Sequence, residues 1–362
     1  RERITAMTEL AKPYLAVTAA QLDADPLLLN CPNGTVDLRT CTLRPHRRAD
    51  YITKCCAAAY DPAAPRPTFD RFCARVFRTH PELVPFVQKA LGYAATGLVT
   101  EQVMFFFHGA GANGKTTLLD AACRALGDYA GKVDRDLLAA SDRQGHPTNV
   151  ADLQGMRVAV CSETNEGVRY DEAKMKDLVG ETRLKARFMR CDFFEFEATH
   201  KIFTYSNHRP LVRGTDHGFW RRMRLVPFVE TIGEDEKDTA LPDKLRAEWA
   251  GVLAWIVEGC RRWRAEGLGV PAEVARATGD YRREMDSIGL FLDEGCVRGE
   301  RLSAPARDLY AAYVAWTEDA GEKPLSQKRL GMELAKRGLT SDRDSYTGRR
   351  VWRGIGLLRE EP

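Results

Sequence analysis

The stretch that decides the reading runs from residue 103 to residue 126. It is Val103-Met104-Phe105-Phe106-Phe107, then His108, then Gly109-Ala110-Gly111-Ala112-Asn113-Gly114-Lys115-Thr116, then Thr117 and the helical pattern Leu118–Leu126. Five apolar residues in a row read as a strand buried on both faces. The eight residues from Gly109 satisfy G-x-x-x-x-G-K-[ST], and a strand in front with a helix behind is the setting that motif needs. Its glycines let backbone N–H groups curl around phosphate oxygens, and the start of the helix adds a favourable dipole. Lys115 then places a cation on the β- and γ-phosphates and Thr116 offers a hydroxyl to Mg2+. The run from Gly109 to Thr117 is therefore the expected nucleotide contact.

Working outward, Val158–Cys161 and Ile202–Tyr205 are two more buried-type strands, with helical patterns at Leu118–Leu126 and Ala173–Val179 between the three. That alternation predicts an α/β domain with a mostly parallel sheet. The second strand runs into Ser162-Glu163, which puts a carboxylate at a strand end beside the phosphates. Glu163 is expected to hold the metal and orient the attacking water, with Glu166 as the alternative for the water. The third strand ends in Ser206-Asn207, and Asn207 at its tip is suited to sense the γ-phosphate. Arg221-Arg222 follow at a position suited to reach the nucleotide of an adjacent subunit.

Composition sets bounds. The 362 residues hold 54 basic and 51 acidic side chains, so net charge is uninformative about nucleic acid and local clustering must carry that argument. The five-residue apolar run is far short of the ~20 needed to cross a bilayer, which argues against a membrane protein. Ten cysteines without a C-x-x-C pair argue against a disulfide or zinc scaffold, and Cys55-Cys56 read as part of a strand. The opening at Arg1 reads as a cut inside a longer protein.

On the flanks, residues 20–66 alternate apolar runs with turn signals, including a hairpin cue at Asn33-Gly34, and predict a small β-containing module. Asp23-Ala24-Asp25 reads as a helix-to-strand turn rather than a metal site. Two amphipathic helices follow, over Phe69–Phe77 and Leu83–Leu91, and one long helix is expected from Leu245 to Cys260. Past Phe291 a third unit is expected, with a helix through Leu309–Val314, a Ser326-capped helix ending at Gly338, and a hairpin from Ser345 to Leu357. Gln327 to Arg353 hold eight basic residues against three acidic ones. A capped helix followed by a basic hairpin is the winged-helix pattern, with Arg349, Arg350 and Arg353 as candidate DNA contacts. A lid or a protein-binding role is the alternative.

Together these residues resemble a superfamily 3 helicase of the phage/plasmid primase-helicase family, related to the poxvirus nucleoside triphosphatase. Besides the P-loop the likeness rests on Asn33-Gly34-Thr35-Val36-Asp37-Leu38-Arg39, Leu91-Gly92-Tyr93, Ser162-Glu163-Thr164-Asn165-Glu166-Gly167, Ser206-Asn207-His208-Arg209-Pro210 and Gly218-Phe219-Trp220-Arg221-Arg222. The resemblance implies an AAA+ P-loop core that hydrolyses ATP with Mg2+, assembles as a hexameric ring and moves along single-stranded and forked DNA. It implies Asn207 as sensor and Arg222 as the finger acting in trans. A channel hairpin maps to Leu184–Phe196, with Lys185, Arg187 and Arg190 as strand contacts; Glu181-Thr182 stand where the family has Gly-Asp. It further implies a primase domain upstream and a cytoplasmic location in a bacterial host.

The expected organisation is an N-terminal α+β module (1–68), a helical collar (69–100), the α/β core (101–230), a helical extension (231–290) and a C-terminal winged-helix-like domain (291–362). Two rival functions share parts of this pattern. A nucleotide-dependent replication initiator has every motif but displaces no strand, and a small-metabolite kinase needs neither finger nor hairpin.

Overall fold

The computed structural model describes residues 2–140, 148–162, 167–212, 216–321 and 323–358. The chain divides into two compact units, one reaching to Thr278 and the other running from Gly279 onward.

The first unit opens with helix α1 (Glu2–Leu15) and an antiparallel meander of β1 (Leu28–Cys31), β2 (Gly34–Asp37) and β3 (Thr42–Arg44). The hairpin turn falls on Pro32-Asn33, one residue before the expected Asn33-Gly34, because Gly34 already pairs with Cys31. Asn33 is held instead by Tyr60: its Nδ2 donates to the Tyr60 carbonyl at 2.9 Å and its Oδ1 accepts from the Tyr60 N–H at 3.0 Å. Asp23 and Asp25 lie in the preceding turn, occupied by Thr53 and Arg39 respectively. Cys55-Cys56 form no strand, although Cys56 N–H donates to Asn30 O at 2.8 Å.

Helices α2 (Pro67–Val76) and α3 (Leu83–Ala95) lead to the central elements β4 (Met104–His108), α4 (Lys115–Leu126), β5 (Ala130–Val133), α5 (Thr148–Ala151), β6 (Val158–Cys161) and α6 (Glu172–Gly180). A two-stranded hairpin, β7 (Arg183–Ala186) with β8 (Phe194–Glu197), precedes β9 (Lys201–Ser206), α7 (His217–Trp220) and β10 (Met223–Pro227). Strands β10-β4-β9-β6-β5 form one all-parallel sheet in that order. Every residue of β6 and β9 is buried, as expected where helices cover both faces. Within the sheet Phe105 stacks on Phe203 at 4.7 Å, and Phe107 meets Phe228 at 5.0 Å. The two edge strands, β5 and β10, are additions to the three read from sequence.

Beyond the sheet come α8 (Leu241–Ala247), α9 (Trp249–Glu266) and α10 (Ala272–Glu284). The single helix expected over Leu245–Cys260 is thus broken at Glu248, whose carboxylate turns to cap α2 by accepting from Thr68 N–H at 2.9 Å and Phe69 N–H at 2.8 Å. Helices α3 and α9 cross at glycines, since a Cβ on Gly92 would stand 2.0 Å from the Cys260 backbone nitrogen.

The second unit contains α11 (Ser287–Gly295), β11 (Cys296–Pro305), α12 (Ala306–Asp319), α13 (Gln327–Lys336), β12 (Thr340–Arg343) and β13 (Arg350–Leu357), with an antiparallel sheet ordered β11-β13-β12. Leu309, Tyr313, Leu330, Leu334, Trp352 and Ile355 form its core. Ser326 caps α13 through the Arg329 N–H at 3.4 Å. The terminal hairpin begins at Thr340 rather than Ser345, and Ser345 to Gly348 form its turn, folded over the Asp344 carboxylate. No helix among the described residues is long and apolar enough to cross a membrane.

Candidate nucleotide-binding site

The P-loop leaves the sheet at the carboxyl end of β4, between β10 and β9, where strand order reverses and crevices form in open α/β sheets. Two of its glycines are required by geometry. A Cβ on Gly109 would lie 2.1 Å from the Phe228 carbonyl oxygen, and Gly114 adopts φ +83°. Ala110, Gly111 and Ala112 are exposed at the crest. The loop is braced from behind by Phe228 N–H on His108 O at 2.7 Å and Ile232 N–H on Ala112 O at 2.8 Å. Buried Asn113 adds donation to Ala110 O and, at 3.2 Å, to Phe228 O.

Lys115 opens α4 and is buried. Its Nζ donates to Gly109 O at 2.6 Å, Ala110 O at 3.2 Å, Asn113 Oδ1 at 2.9 Å and Asn207 Oδ1 at 2.9 Å. The structure thus brings Asn207, at the tip of β9, onto the P-loop lysine. Thr116 is exposed in the first turn of α4 and Thr117 half-buried. A cradle of amides, a buried amine and an open hydroxyl at a helix N-terminus fit a nucleotide polyphosphate and its Mg2+. Next to them the pKa of His108 is pushed down to about 4, first by burial and then by the cationic Arg209 and Lys115, so the ring is neutral at pH 7. Cys161 pairs with Thr204 and brings β6 to this same edge; Glu163 and Glu166 lie outside the described residues.

A cleft of 690 Å³ continues from the P-loop, lined by Ala112, Gly114 and Thr117 on one side and by Phe72, Arg75, Ile232, Leu241 and Pro242 on the others. Arg75 fastens its walls together, donating to Glu230 Oε2 at 2.8 Å, Thr231 O at 2.9 Å and Glu236 Oε2 at 2.5 Å. Motif reading misses this cleft because its walls are far apart in the chain and neither has a spacing signature.

Arg221 and Arg222 lie at the opposite, amino edge of the sheet, since Met223 pairs with Met104 and the Arg222 carbonyl accepts from Met104 N–H. At ~3.3 Å per residue the strand separates them from their own P-loop by roughly 15 Å. Arg222 Nη1 donates to Gly218 O at 2.6 Å, and exposed Arg221 reaches Gln102 at 3.3 Å.

In the β7–β8 hairpin, Leu184, Ala186 and Phe196 are buried while Lys185 and Arg190 are exposed and Arg187 is half-buried. In the second unit, Arg349 and Arg350 line a 920 Å³ groove with Arg307 and Lys328. Arg353 lies outside it and faces Asp342 at 3.8 Å, and Lys336 and Arg337 are both paired with Glu333. The basic excess of this segment is therefore partly neutralised.

Three known domain families match the chain in succession: "D5 N terminal like" over residues 1–78, a family of unknown function (DUF5906) over 107–222, and "Poxvirus D5 protein-like" over 283–347. The first and third of these descriptions both refer to D5 proteins, so the chain is similar to D5-like proteins over residues 1–78 and 283–347. Among similar proteins, a candidate helicase of Acanthamoeba polyphaga mimivirus is 24% identical over 319 residues, covering 82% of the chain and 33% of that protein. A candidate primase of African swine fever virus is 27% identical over 214 residues, 56% of the chain and 22% of that protein. A candidate helicase of Frog virus 3 is 26% identical over 238 residues, 60% and 24% respectively. The chain thus spans a third or less of the length of these relatives. Its fold is shared with the NrS-1 C-terminal region, with TM-score 0.54 at 11% identity over 97% of this chain and 91% of that one. A second structure of that region gives 0.53 at 14% identity over 82% and 77%.

Proposed function

We propose that the chain is the helicase part of a primase-helicase, an ATP hydrolase that moves along single-stranded DNA as a hexameric ring and opens the duplex at a replication fork. The observation that carries this reading is the 2.9 Å bond from Lys115 Nζ to Asn207 Oδ1. It links the phosphate-binding lysine to the end of a second strand, so phosphate arriving on Lys115 competes with Asn207 for the same amine. The order β10-β4-β9-β6-β5 supports an AAA+ core, because it seats the P-loop strand beside the sensor strand. The cleft lined by Phe72, Ile232 and Pro242 is suited to the base and ribose.

Mg2+, held by Thr116 and Glu163, would neutralise charge on the phosphate oxygens. Lys115 binds the β- and γ-phosphates, Glu163 or Glu166 orients the water, and Asn207 senses occupancy. Arg222, remote from its own P-loop, is assigned to a neighbour's nucleotide with Arg221 beside it; head-to-tail contacts of this type close rings. Lys185, Arg187 and Arg190 contact the strand in the channel. The second unit acts as a winged helix whose groove takes duplex DNA, with Arg349 and Arg350 as its main phosphate contacts and Arg353 as a weaker one. Priming is assigned to a part of the protein other than these residues.

The test is ATP-driven displacement of a labelled strand from a forked duplex, together with DNA-stimulated ATPase and mass in solution. Strand displacement by a ring-sized species is expected. Hydrolysis and DNA binding without displacement would assign the chain to initiator assembly, and hydrolysis indifferent to DNA would assign it to small-molecule phosphoryl transfer.

A further inference from the structure

The tip of the β7–β8 hairpin carries more than charge. Strand alternation turns Leu184, Ala186 and Phe196 into the fold, and two rings at the tip are left in water. Phe188 lies nearly parallel to Phe194, at 5.1 Å and 18°, yet remains 45% exposed. One face of its ring is therefore backed and the other open. Phe193 is 52% exposed, with Lys185 Nζ 5.3 Å and the Arg187 guanidinium 5.0 Å from its centroid. Those cations restrain the ring through its negative face. Residues 185–193 hold three basic side chains, Lys185, Arg187 and Arg190, against one acidic, Asp192.

Exposed aromatic faces interleaved with cations match the chemistry of unpaired nucleic acid, in which every base offers a π-face and every linkage a negative charge. The local excess of positive charge favours that polyanion over an apolar protein surface, which the cations would meet without partners. We propose that Phe188 and Phe193 form a stacking platform for the unpaired bases of a single strand, with Lys185, Arg187 and Arg190 holding its phosphates. The proposal rests on the reading of this hairpin as a DNA contact and adds that the contact is made to bases as well as to backbone.

The test compares binding of the full chain to labelled oligothymidylate and to an abasic strand of equal length, across a salt series. The base-bearing strand should bind roughly 5- to 150-fold more tightly for one stacked base. Phe188→Leu with Phe193→Leu should erase that difference and leave the salt slope unchanged, whereas Lys185→Ala with Arg190→Ala should lower the slope and keep the difference. Should the leucine pair fail to fold, Phe193→Trp serves in its place, and its added emission should be quenched by oligothymidylate and not by the abasic strand. Equal wild-type affinity for both strands, or quenching by both alike, overturns the platform while leaving DNA binding intact. Failure to bind either strand overturns the DNA reading itself.

Discussion

Two lysines are buried almost equally at opposite edges of the central sheet, Lys115 at 3% exposure and Lys201 at 2%. Both donate to several backbone carbonyls, Lys201 to Thr96, to Leu98 at 3.2 Å and to Thr199 at 2.8 Å. Burial and carbonyl contacts therefore do not tell them apart. What differs is the roof. Lys115 lies under an exposed glycine-rich crest beside an open cleft, whereas Lys201 lies under the Tyr93 ring at 5.1 Å and next to fully buried Arg157. Burial and the Arg157 charge push the Lys201 pKa well down. The comparison teaches that a buried amine at an end of the sheet marks a ligand site only where the surrounding backbone leaves room for an anion.

The largest effect expected from this contrast is on Lys115. Lys115→Ala should bring ATP turnover to background, because it removes the side-chain cation that balances charge on the transferred group. Folding should survive, and retained turnover with a normal melting curve would end the assignment. Next comes Arg222, at the same amino edge as Lys201. Arg222→Ala should cost ~10³–10⁵ in rate if it serves a neighbour's nucleotide. Mixing it with Lys115→Ala subunits should restore part of the activity, since each copy supplies what the other lacks; mixtures that stay inactive at every ratio would confine Arg222 to its contact with Gly218.

For Lys201 the prediction has the opposite form. Lys201→Met leaves the buried Thr96 carbonyl and the half-buried Leu98 and Thr199 carbonyls without this donor, and at about 1–3 kcal/mol for a buried group left unsatisfied the loss should be about 1–3 kcal/mol. Urea unfolding measures it. Unchanged stability with lost ATPase would make Lys201 part of the machinery and collapse the distinction between the edges.

The sequence made the P-loop end of the sheet legible and the two lateral edge strands nearly invisible, for physical reasons. Gly109 to Thr116 act through consecutive backbone groups, so the motif is local, while Met104–Phe107 and β6 are continuous apolar runs and β9 carries Ile202, Phe203 and Tyr205. Strand β5 reads Ala-Gly-Lys-Val and β10 carries Arg224 and ends in Pro227, so neither edge strand shows a pattern until its neighbour pairs with it. The break at Glu248 is likewise tertiary, since the residue caps a helix distant in the chain. The basic residues of the β7–β8 hairpin are readable as charge, but the exposure of Phe188 and Phe193 is set by the tip between the paired strands, which no sequence period marks. Glu163 and Glu166 stay where the sequence reading left them, as alternatives for one role.

The smallest effect separates the edges through their histidines. His108 ends β4 and His200 immediately precedes β9, and both have pKa values pushed down to about 4, by burial first; cations add to this, Arg209 and Lys115 for His108 and Lys201 for His200. A histidine kept neutral in the fold titrates near 6.5 when unfolded, so its contribution is full above pH 6.5 and is lost as pH falls toward 4. Between pH 6.5 and 5, fully buried His200 should account for about 2 kcal/mol at 1.36 per pH unit, and partly exposed His108 for less. His200→Gln should accordingly flatten the acid limb of a melting-temperature series. Nucleotide should act on the other histidine, because phosphate beside Lys115 and Arg209 offsets the positive field that disfavours His108 protonation. Adding a non-hydrolysable ATP analogue to His200→Gln should then remove the part of the remaining acid loss between pH 6.5 and 5 that the Arg209 and Lys115 charges cause, beyond the uniform stabilisation that binding gives. A gain in melting temperature equal at pH 7 and pH 5 would show that the anion does not settle beside His108, and would move the phosphate site away from Lys115.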